Sequence, residues 1–166
     1  MARTTIDRLI INSPYEEPQR HWRYDRETRT WYTGKPCART LKSHINVCVY
    51  DSAWEASDAF ALDSSDAVAA WAKNDHLGFE VLYVYRGVVR KYRPDFLVRL
   101  KNGGMIVLET KGQDTEQDRV KRRYLDEWIE AVNAHGGFGR WRWAVAGEPG
   151  QIRDILIRNK AGIAGG

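Results

Sequence analysis

The sequence predicts an α/β protein in which a mixed central β-sheet is flanked by helices. Short segments rich in β-branched and aromatic residues alternate with segments whose apolar residues recur every three or four positions. Between two of the strand-like segments, Asn102-Gly103-Gly104 is a turn signal typical of an antiparallel hairpin. Together these patterns favour one layer of strands with helices packed against it.

Regular structure is predicted from residue 46 onward. A second helix, starting at Asp63 or Ser64, depends on Val68, Trp71 and Ala72 sharing one face. The predicted elements are, in order, a strand over 46–50, a helix from a Ser52 cap to about Leu62, that second helix as far as Gly78, strands over 79–85, 88–100 and 105–111, a long helix from a Thr115 cap to Gly136, a strand over 141–146 and a short helix from Gln151.

Three segments differ in composition along the chain. Residues 1–45 combine basic and aromatic side chains with poor periodicity, so they are expected to form an irregular or hairpin-forming arm. Residues 46–160 carry the periodic pattern and are expected to form the folded domain. Residues 161–166 are small and glycine-rich, which predicts a flexible tail.

Composition narrows the class of protein. The 166 residues suffice for one domain with a core, and a net charge of +4 with a pI near 9.1 is compatible with a polyanionic partner without requiring one. The two cysteines form no CxxC pair, so two free thiols are expected and zinc is not. No apolar run approaches the roughly 20 residues of a membrane span, and no secretion signal is evident, so a cytoplasmic protein is expected.

The residues with the clearest chemical meaning lie between Tyr92 and Gly112. Pro94-Asp95 is followed by Glu109-Thr110-Lys111 on what is predicted to be the next strand. Paired carboxylates are suited to Mg²⁺, with Mn²⁺ as a substitute, because these ions prefer oxygen ligands. Such an ion activates water and neutralises a phosphate, and a nearby lysine adds a point charge. The pattern therefore predicts a phosphodiester-hydrolysing site.

Hydrophobicity selects between two registers for this hairpin. A two-residue loop mixes apolar and charged side chains on each face of the sheet. A three-residue loop, Asn102–Gly104, with a glycine in the left-handed conformation, sets Leu97 opposite Glu109 and Asp95 opposite Lys111. One face is then purely apolar and the other carries the charges; the apolar set is Phe96, Val98, Leu100, Ile106 and Leu108. The same residues also fit an ordinary solvated sheet face, because a short D…ExK pattern often occurs by chance.

The stretch resembles the PD-(D/E)XK nuclease superfamily, and most closely the C-terminal nuclease domain of the Res subunits of type III restriction enzymes. WEASDAFALD, VAAWAKNDHLGFEVLY, YRPDFLVRLKNGG, IVLETKG and WIEAVNAHGGFGRW are similar to that family, over roughly residues 44–147. The resemblance implies a restriction-endonuclease-like fold and an Mg²⁺-dependent endonuclease that cuts DNA in a restriction or defence role. It implies Asp95 and Glu109 as metal ligands, Lys111 as the catalytic lysine and Glu55 as a further acid and ligand from a helix.

The N-terminal stretch RLIINSPYEEPQRHWRY is similar to the far N-terminal end of some of those subunits, whose motor lies between the two ends. This chain has no GxxxxGK(S/T) phosphate loop, so ATP hydrolysis is not expected. Besides DNA, a second copy of the chain or a helicase or methyltransferase is a possible partner. The pattern leaves sequence specificity and the choice between DNA and RNA open.

Several residues keep two interpretations. Glu55 also completes a capping box, Ser52-x-x-Glu55, in which it binds the cap backbone instead of a metal. A set of polar residues after the lysine either contacts DNA phosphates or forms the solvated face of the long helix: Gln113, Arg119, Lys121, Arg122 and Arg123. The competing function for the whole chain is a non-catalytic nucleic-acid-binding or assembly module that retains the nuclease fold.

Overall fold

The computed structural model describes residues 22–25, 30–75, 77–148 and 150–161. Within these ranges, the helices and strands are β1 Trp22–Asp25, β2 Thr30–Thr33, β3 Cys37–Arg39, β4 Val47–Val49, α1 Ala53–Ser64, β5 Val68–Lys73, β6 Val81–Tyr85, β7 Val88–Tyr92, β8 Phe96–Leu100, β9 Gly104–Thr110, α2 Glu116–His135, β10 Arg140–Ala146 and α3 Gln151–Ala161. Most of the predicted arm (residues 1–21 and 26–29) and the tail residues 162–166 lie outside the described residues.

The centre of the fold is a four-stranded sheet in the order β10-β9-β8-β5. Strands β9 and β10 are parallel and joined through α2, while the β8–β9 and β5–β8 pairs are antiparallel. This is the mixed sheet with flanking helices that the sequence predicts. Because only residues 111–115 separate β9 from α2, the end of β9 lies near the beginning of that helix.

Each face of the sheet has its own apolar core. Alternating side chains of β8 and β9 point to opposite faces. The apolar set predicted to share a face is buried together, against α1 and α3, which contribute Leu62 and Ile152 among others. On the opposite face, Leu97 and Val107 pack against α2 and against the β6–β7 hairpin. Both faces of the sheet are therefore covered by helices or by the β6–β7 hairpin.

The predicted second helix is wrong, because Val68–Lys73 forms strand β5. The register of β5 against β8 shifts between Val68 and Ala70, as a β-bulge does. The extra residue places Val68 and Trp71, three positions apart, in the same core. A strand with a bulge thus reproduces the three-residue spacing that is typical of a helical face.

The predicted continuous strand over 88–100 is also wrong. It is divided into β7, which pairs with β6, and β8, which joins the central sheet. The division contains Pro94, which has no N–H to donate to a strand neighbour. Because the chain changes sheets here, Asp95 stands just before β8 begins.

The register of the β8–β9 hairpin differs from the predicted one by two residues. Phe96 pairs with Leu108 and Arg99 with Met105, so Leu97 faces Val107 instead of Glu109. The three-residue loop is residues 101–103, with Gly103 at φ 85° and its N–H bonded to the Leu100 carbonyl. A shift of two preserves the face on which each side chain lies. It changes the cross-strand partners, so the predicted pairing of Asp95 with Lys111 is not formed.

The predicted caps of two helices are confirmed. Ser52 Oγ accepts from the Glu55 N–H at the start of α1, and Thr115 caps α2 in a complete capping box with Asp118. In the arm, β1 and β2 form an antiparallel hairpin, whereas β3 pairs with β4 beyond residue 45. Cys37 and Cys48 are both free thiols. None of the helices in the described part of the chain is long and apolar enough to cross a membrane.

Candidate active site

Asp95 lies at the end of the central sheet, just before β8, and is hydrogen-bonded by the neighbouring strand β9. Thr110 donates to Asp95 Oδ2 from its backbone N–H (2.8 Å) and from its hydroxyl (2.9 Å). Burial raises the pKa of Asp95, the two hydrogen bonds from Thr110 oppose the rise, and the negative charge of Glu55 adds to it. The Asp95 carboxylate is therefore held in a defined orientation, and a cation bound beside it would stabilise its charged form.

Glu109 is the second carboxylate of the predicted pair, and only 8% of it is exposed. The buried Tyr92 hydroxyl, at the end of β7, donates to Glu109 Oε2 over 3.1 Å. Burial raises the pKa of Glu109; the Tyr92 hydrogen bond opposes this, and the charge of Asp95 reinforces it. The charge of Asp95 therefore lies within electrostatic range of Glu109.

Lys111 follows β9 and is held by a residue of α2. Its Nζ lies 2.6 Å from Asp118 Oδ1, and Lys121 Nζ lies 3.0 Å from the same oxygen. The other oxygen, Oδ2, accepts from the backbone N–H and hydroxyl of Thr115 and so completes the helix cap. Asp118 is 2% exposed, and hydrogen bonds from Lys111, Thr115 and Lys121 outweigh its burial and hold its pKa below the usual range. One buried carboxylate therefore orders both the helix start and two lysines.

Glu55 has the contacts of a capping residue. Its Oε2 accepts from the Asp51 N–H (3.0 Å) and lies 3.1 Å from Nζ of the buried Lys73. The bonded N–H belongs to the residue before the Ser52 cap, so the arrangement is close to the predicted capping box. Glu55 also contributes to the raised pKa of Asp95, which places its charge within electrostatic range of the predicted site. Both interpretations of Glu55 are compatible with these contacts.

Asp58, one turn further along α1, is a site residue that the sequence reading did not single out. It is 1% exposed, and neither carboxylate oxygen has a hydrogen-bond partner among the described residues. Burial raises its pKa to about 6, and the negative charge of Asp95 is the next largest cause. A third acid therefore approaches Asp95 from the helix side.

The donor set suits a hard cation such as Mg²⁺, because it consists of carboxylate oxygens and includes one buried carboxylate that accepts no hydrogen bond from the described residues. Across the described residues, no three His, Cys, Asp or Glu side chains converge closely enough to hold a metal ion as they stand. The carboxylates repel one another, as the raised pKa values of Asp95, Glu109 and Asp58 indicate. The fit to Mg²⁺ therefore depends on the chemistry of the donors.

An open groove of about 410 Å³ adjoins Lys111. Gln113, Arg122 and Trp143 line it, and Arg122 lies over the Trp143 ring and pairs with Asp114. Of the other basic residues predicted to contact DNA, Lys121 is engaged with Asp118 and the Tyr92 ring, whereas Arg119 and Arg123 are exposed. The structure thus brings Gln113, Lys121 and Arg122 near the predicted site and leaves Arg119 and Arg123 on the solvated face.

Apart from Asp58, the residues that sequence reasoning missed orient the predicted ones. Tyr92 and Thr110 orient Glu109 and Asp95, and Asp118 orients Lys111. A capping-box pattern at Thr115-x-x-Asp118 was visible in the sequence, but it indicates a helix start and not an ion pair with the lysine.

Comparisons of the chain with models of protein families, with curated proteins and with solved structures give no match. The interpretation of this site therefore depends on its residues and geometry.

Proposed function

We propose that this protein is a metal-dependent endonuclease that hydrolyses DNA phosphodiester bonds, with a restriction-endonuclease-like fold of the PD-(D/E)XK kind and a role in restriction or defence. The observation that carries the proposal is a pair of carboxylates with raised pKa, the half-buried Asp95 and the buried Glu109, beside an ordered lysine at the end of one sheet. A solvated sheet face does not require buried acids with raised pKa values, so this observation favours a site over ordinary surface charge.

Asp95, Glu109 and the helix acid Glu55 are the proposed Mg²⁺ ligands, and Mn²⁺ is expected to substitute. A bound ion of this kind supplies positive charge toward a phosphate and activates a water molecule. Thr110 and Tyr92 keep the Asp95 and Glu109 carboxylates oriented, because Thr110 donates two hydrogen bonds to Oδ2 of Asp95 and Tyr92 donates one to Oε2 of Glu109.

Lys111 provides a fixed positive charge for the scissile phosphate. The ion pair with Asp118 limits the lysine to one region at the edge of the groove lined by Gln113 and Arg122. A nucleic-acid backbone in that groove meets two cationic side chains and an aromatic ring, Trp143, which is a usual combination for binding a polyanion. The proposal thus assigns chemistry to the sheet end and substrate positioning to the groove.

The direct test is nicking of supercoiled plasmid DNA by the wild-type chain with Mg²⁺, with Mn²⁺ and with EDTA. We expect cutting with either metal and none with the chelator. Lys111→Met should abolish nicking, while Lys101→Met, the same change in the exposed turn of the β8–β9 hairpin, should leave it unchanged. Robust cutting in EDTA, or equal activity of the two lysine variants, would contradict the mechanism. Binding of DNA without any cutting would favour the non-catalytic module.

A further inference from the structure

Asp58 is buried in a way that costs free energy unless something binds it. Its carboxylate is 1% exposed, and neither oxygen has a hydrogen-bond partner among the described residues. Burying an ionised carboxylate without a partner is strongly unfavourable, and natural proteins usually pair such groups or coordinate a metal with them. Because Asp58 is buried, solvation at the protein surface does not explain the presence of this carboxylate.

Another aspartate of the same helix makes the contrast clear. Asp63, near the end of α1, accepts hydrogen bonds from the backbone N–H groups of Leu41 and Lys42 and from the Trp71 indole. Glu55, near its start, accepts from the Asp51 N–H and pairs with Lys73. The fold thus provides donors for the acids on either side of Asp58 and leaves Asp58 itself without one.

The charged groups that act most strongly on Asp58 are two other acids, Asp95 and then Glu55. Like charges held together in a buried place repel one another when no cation is present. A divalent cation reverses this, because the same three carboxylates then share one partner.

We propose that Asp58 is a direct ligand of the divalent metal ion and binds it together with Asp95. This inference rests on the metal-dependent function proposed above, and it adds a ligand that the D…ExK pattern does not contain. Glu55, whose Oε2 contacts Asp51 and Lys73, stays among the ligands proposed above, and Asp58 is the second acid that α1 contributes to the ion.

One other use of Asp58 is possible. The indole N–H of Trp54 lies one helical turn before it and lowers its pKa, although the geometry of that contact is not that of a hydrogen bond. In that role Asp58 would accept a hydrogen bond from the Trp54 indole instead of binding the metal ion. The two roles differ in what a metal titration measures.

The test is Mn²⁺ binding to the full chain, measured by calorimetric titration without DNA. We expect Asp58→Asn to weaken Mn²⁺ binding by at least about tenfold, as loss of metal-site support does. Two controls should bind Mn²⁺ like wild type: Trp54→Phe, which removes the indole donor, and Asp154→Asn, which makes the same charge change on the exposed part of α3. Asp58→Ser serves as a second variant, and circular dichroism melts establish that each variant is folded.

Wild-type affinity in folded Asp58→Asn and Asp58→Ser would overturn the inference, and so would absence of Mn²⁺ binding by the wild-type chain. The plasmid assay separates this from failure of the proposed function. If the wild-type chain binds Mn²⁺ through Asp58 but never nicks DNA, the proposed nuclease function is wrong and Asp58 is still a metal ligand. If the wild-type chain nicks DNA and Asp58→Asn binds Mn²⁺ as tightly as wild type, the nuclease function stands and Asp58 is not a metal ligand.

Discussion

At the scale of single residues, the main feature of the site is a set of buried or half-buried carboxylates. Asp58, Asp95 and Glu109 all have a raised pKa, with burial as the largest cause in each. Asp118 is about as buried as Asp58 but has a lowered pKa, because it is paired with two lysines and a helix cap. The direction of the pKa shift therefore distinguishes the three carboxylates whose charge is not neutralised by a cation from Asp118, which is paired with two lysines.

The raised pKa of Asp58 predicts an unusual pH dependence of stability without metal. Its pKa of about 6 lies above the unfolded value of about 3.9, so its stabilising contribution is present below pH 4 and is lost as pH rises through 6. Asp58→Asn should therefore raise the free energy of unfolding at pH 7.5, relative to its effect at pH 4, by roughly 3 kcal/mol, at about 1.36 kcal/mol per pKa unit.

Urea unfolding of wild type and Asp58→Asn in EDTA at the two pH values measures this difference. Asp154→Asn, an exposed carboxylate, is the matched control and should change stability little at either pH. The prediction fails if Asp58→Asn destabilises the protein more at pH 7.5 than at pH 4.

At the scale of elements, α2 begins where the proposed catalytic lysine is held. Asp118 Oδ2 serves the Thr115 cap, and Oδ1 serves Lys111 and Lys121. The two roles of this residue belong to different oxygens, so substitutions can separate helix capping from the ordering of the lysine.

Asp118→Asn should lower the free energy of unfolding by ~2 kcal/mol, because charged hydrogen bonds to a buried group are lost. It should also lower kcat for DNA cleavage by roughly 10- to 100-fold, because Lys111 loses the partner that positions it. Thr115→Ala is the control: it should cost about 1 kcal/mol of stability, typical of a lost cap, and leave kcat nearly unchanged. Equal loss of kcat in both variants at a temperature where both are folded would mean that Asp118 acts only through the helix.

The elements show which parts of the fold were accessible to sequence reasoning. Helices with caps and clear periodicity, such as α2, were predicted nearly to the residue. Strand β5 was not, because a bulge gives Val68 and Trp71 the spacing of a helix, and the break at Pro94 was missed within one long β-like run. Local pattern identifies an element only when its register is regular.

The site divides in the same way. Asp95, Glu109 and Lys111 stand in a recognisable order along the chain, so pattern was enough to select them. Asp58 stands among several acids in WEASDAFALD, and nothing in that stretch tells which of them turns inward. Only the packing of α1 against the sheet decides that, and packing is not a local property.

At the scale of the whole molecule, the net charge of +4 favours a polyanion, but its distribution decides where one binds. Neighbouring arginines of α2 provide a comparison: Arg122 lines the groove beside Lys111, whereas Arg123 is exposed outside it. The groove and not the basic run as a whole is therefore the expected path of the DNA backbone.

Arg122→Gln should lower the slope of log affinity against log salt for duplex DNA by about one unit, as expected for one lost phosphate contact. Arg123→Gln makes the same change next to it and should leave the slope unchanged. Fluorescence anisotropy across a salt series, in EDTA to prevent cutting, measures both. Equal slopes for wild type and both variants would assign the run to the solvated face of the helix.

The shared carboxylate of Asp118 also has a consequence for the life of the chain before it is fully folded. During synthesis Lys111 emerges before Asp118, and the lysine has no ordered position until the first turn of α2 has closed around Thr115. Burial of Asp118 depends in turn on the helix docking against the sheet. An immature or partly unfolded chain therefore carries the acids and the lysine without their arrangement. For a protein proposed to cut DNA, the proposed site is therefore complete only when folding is complete.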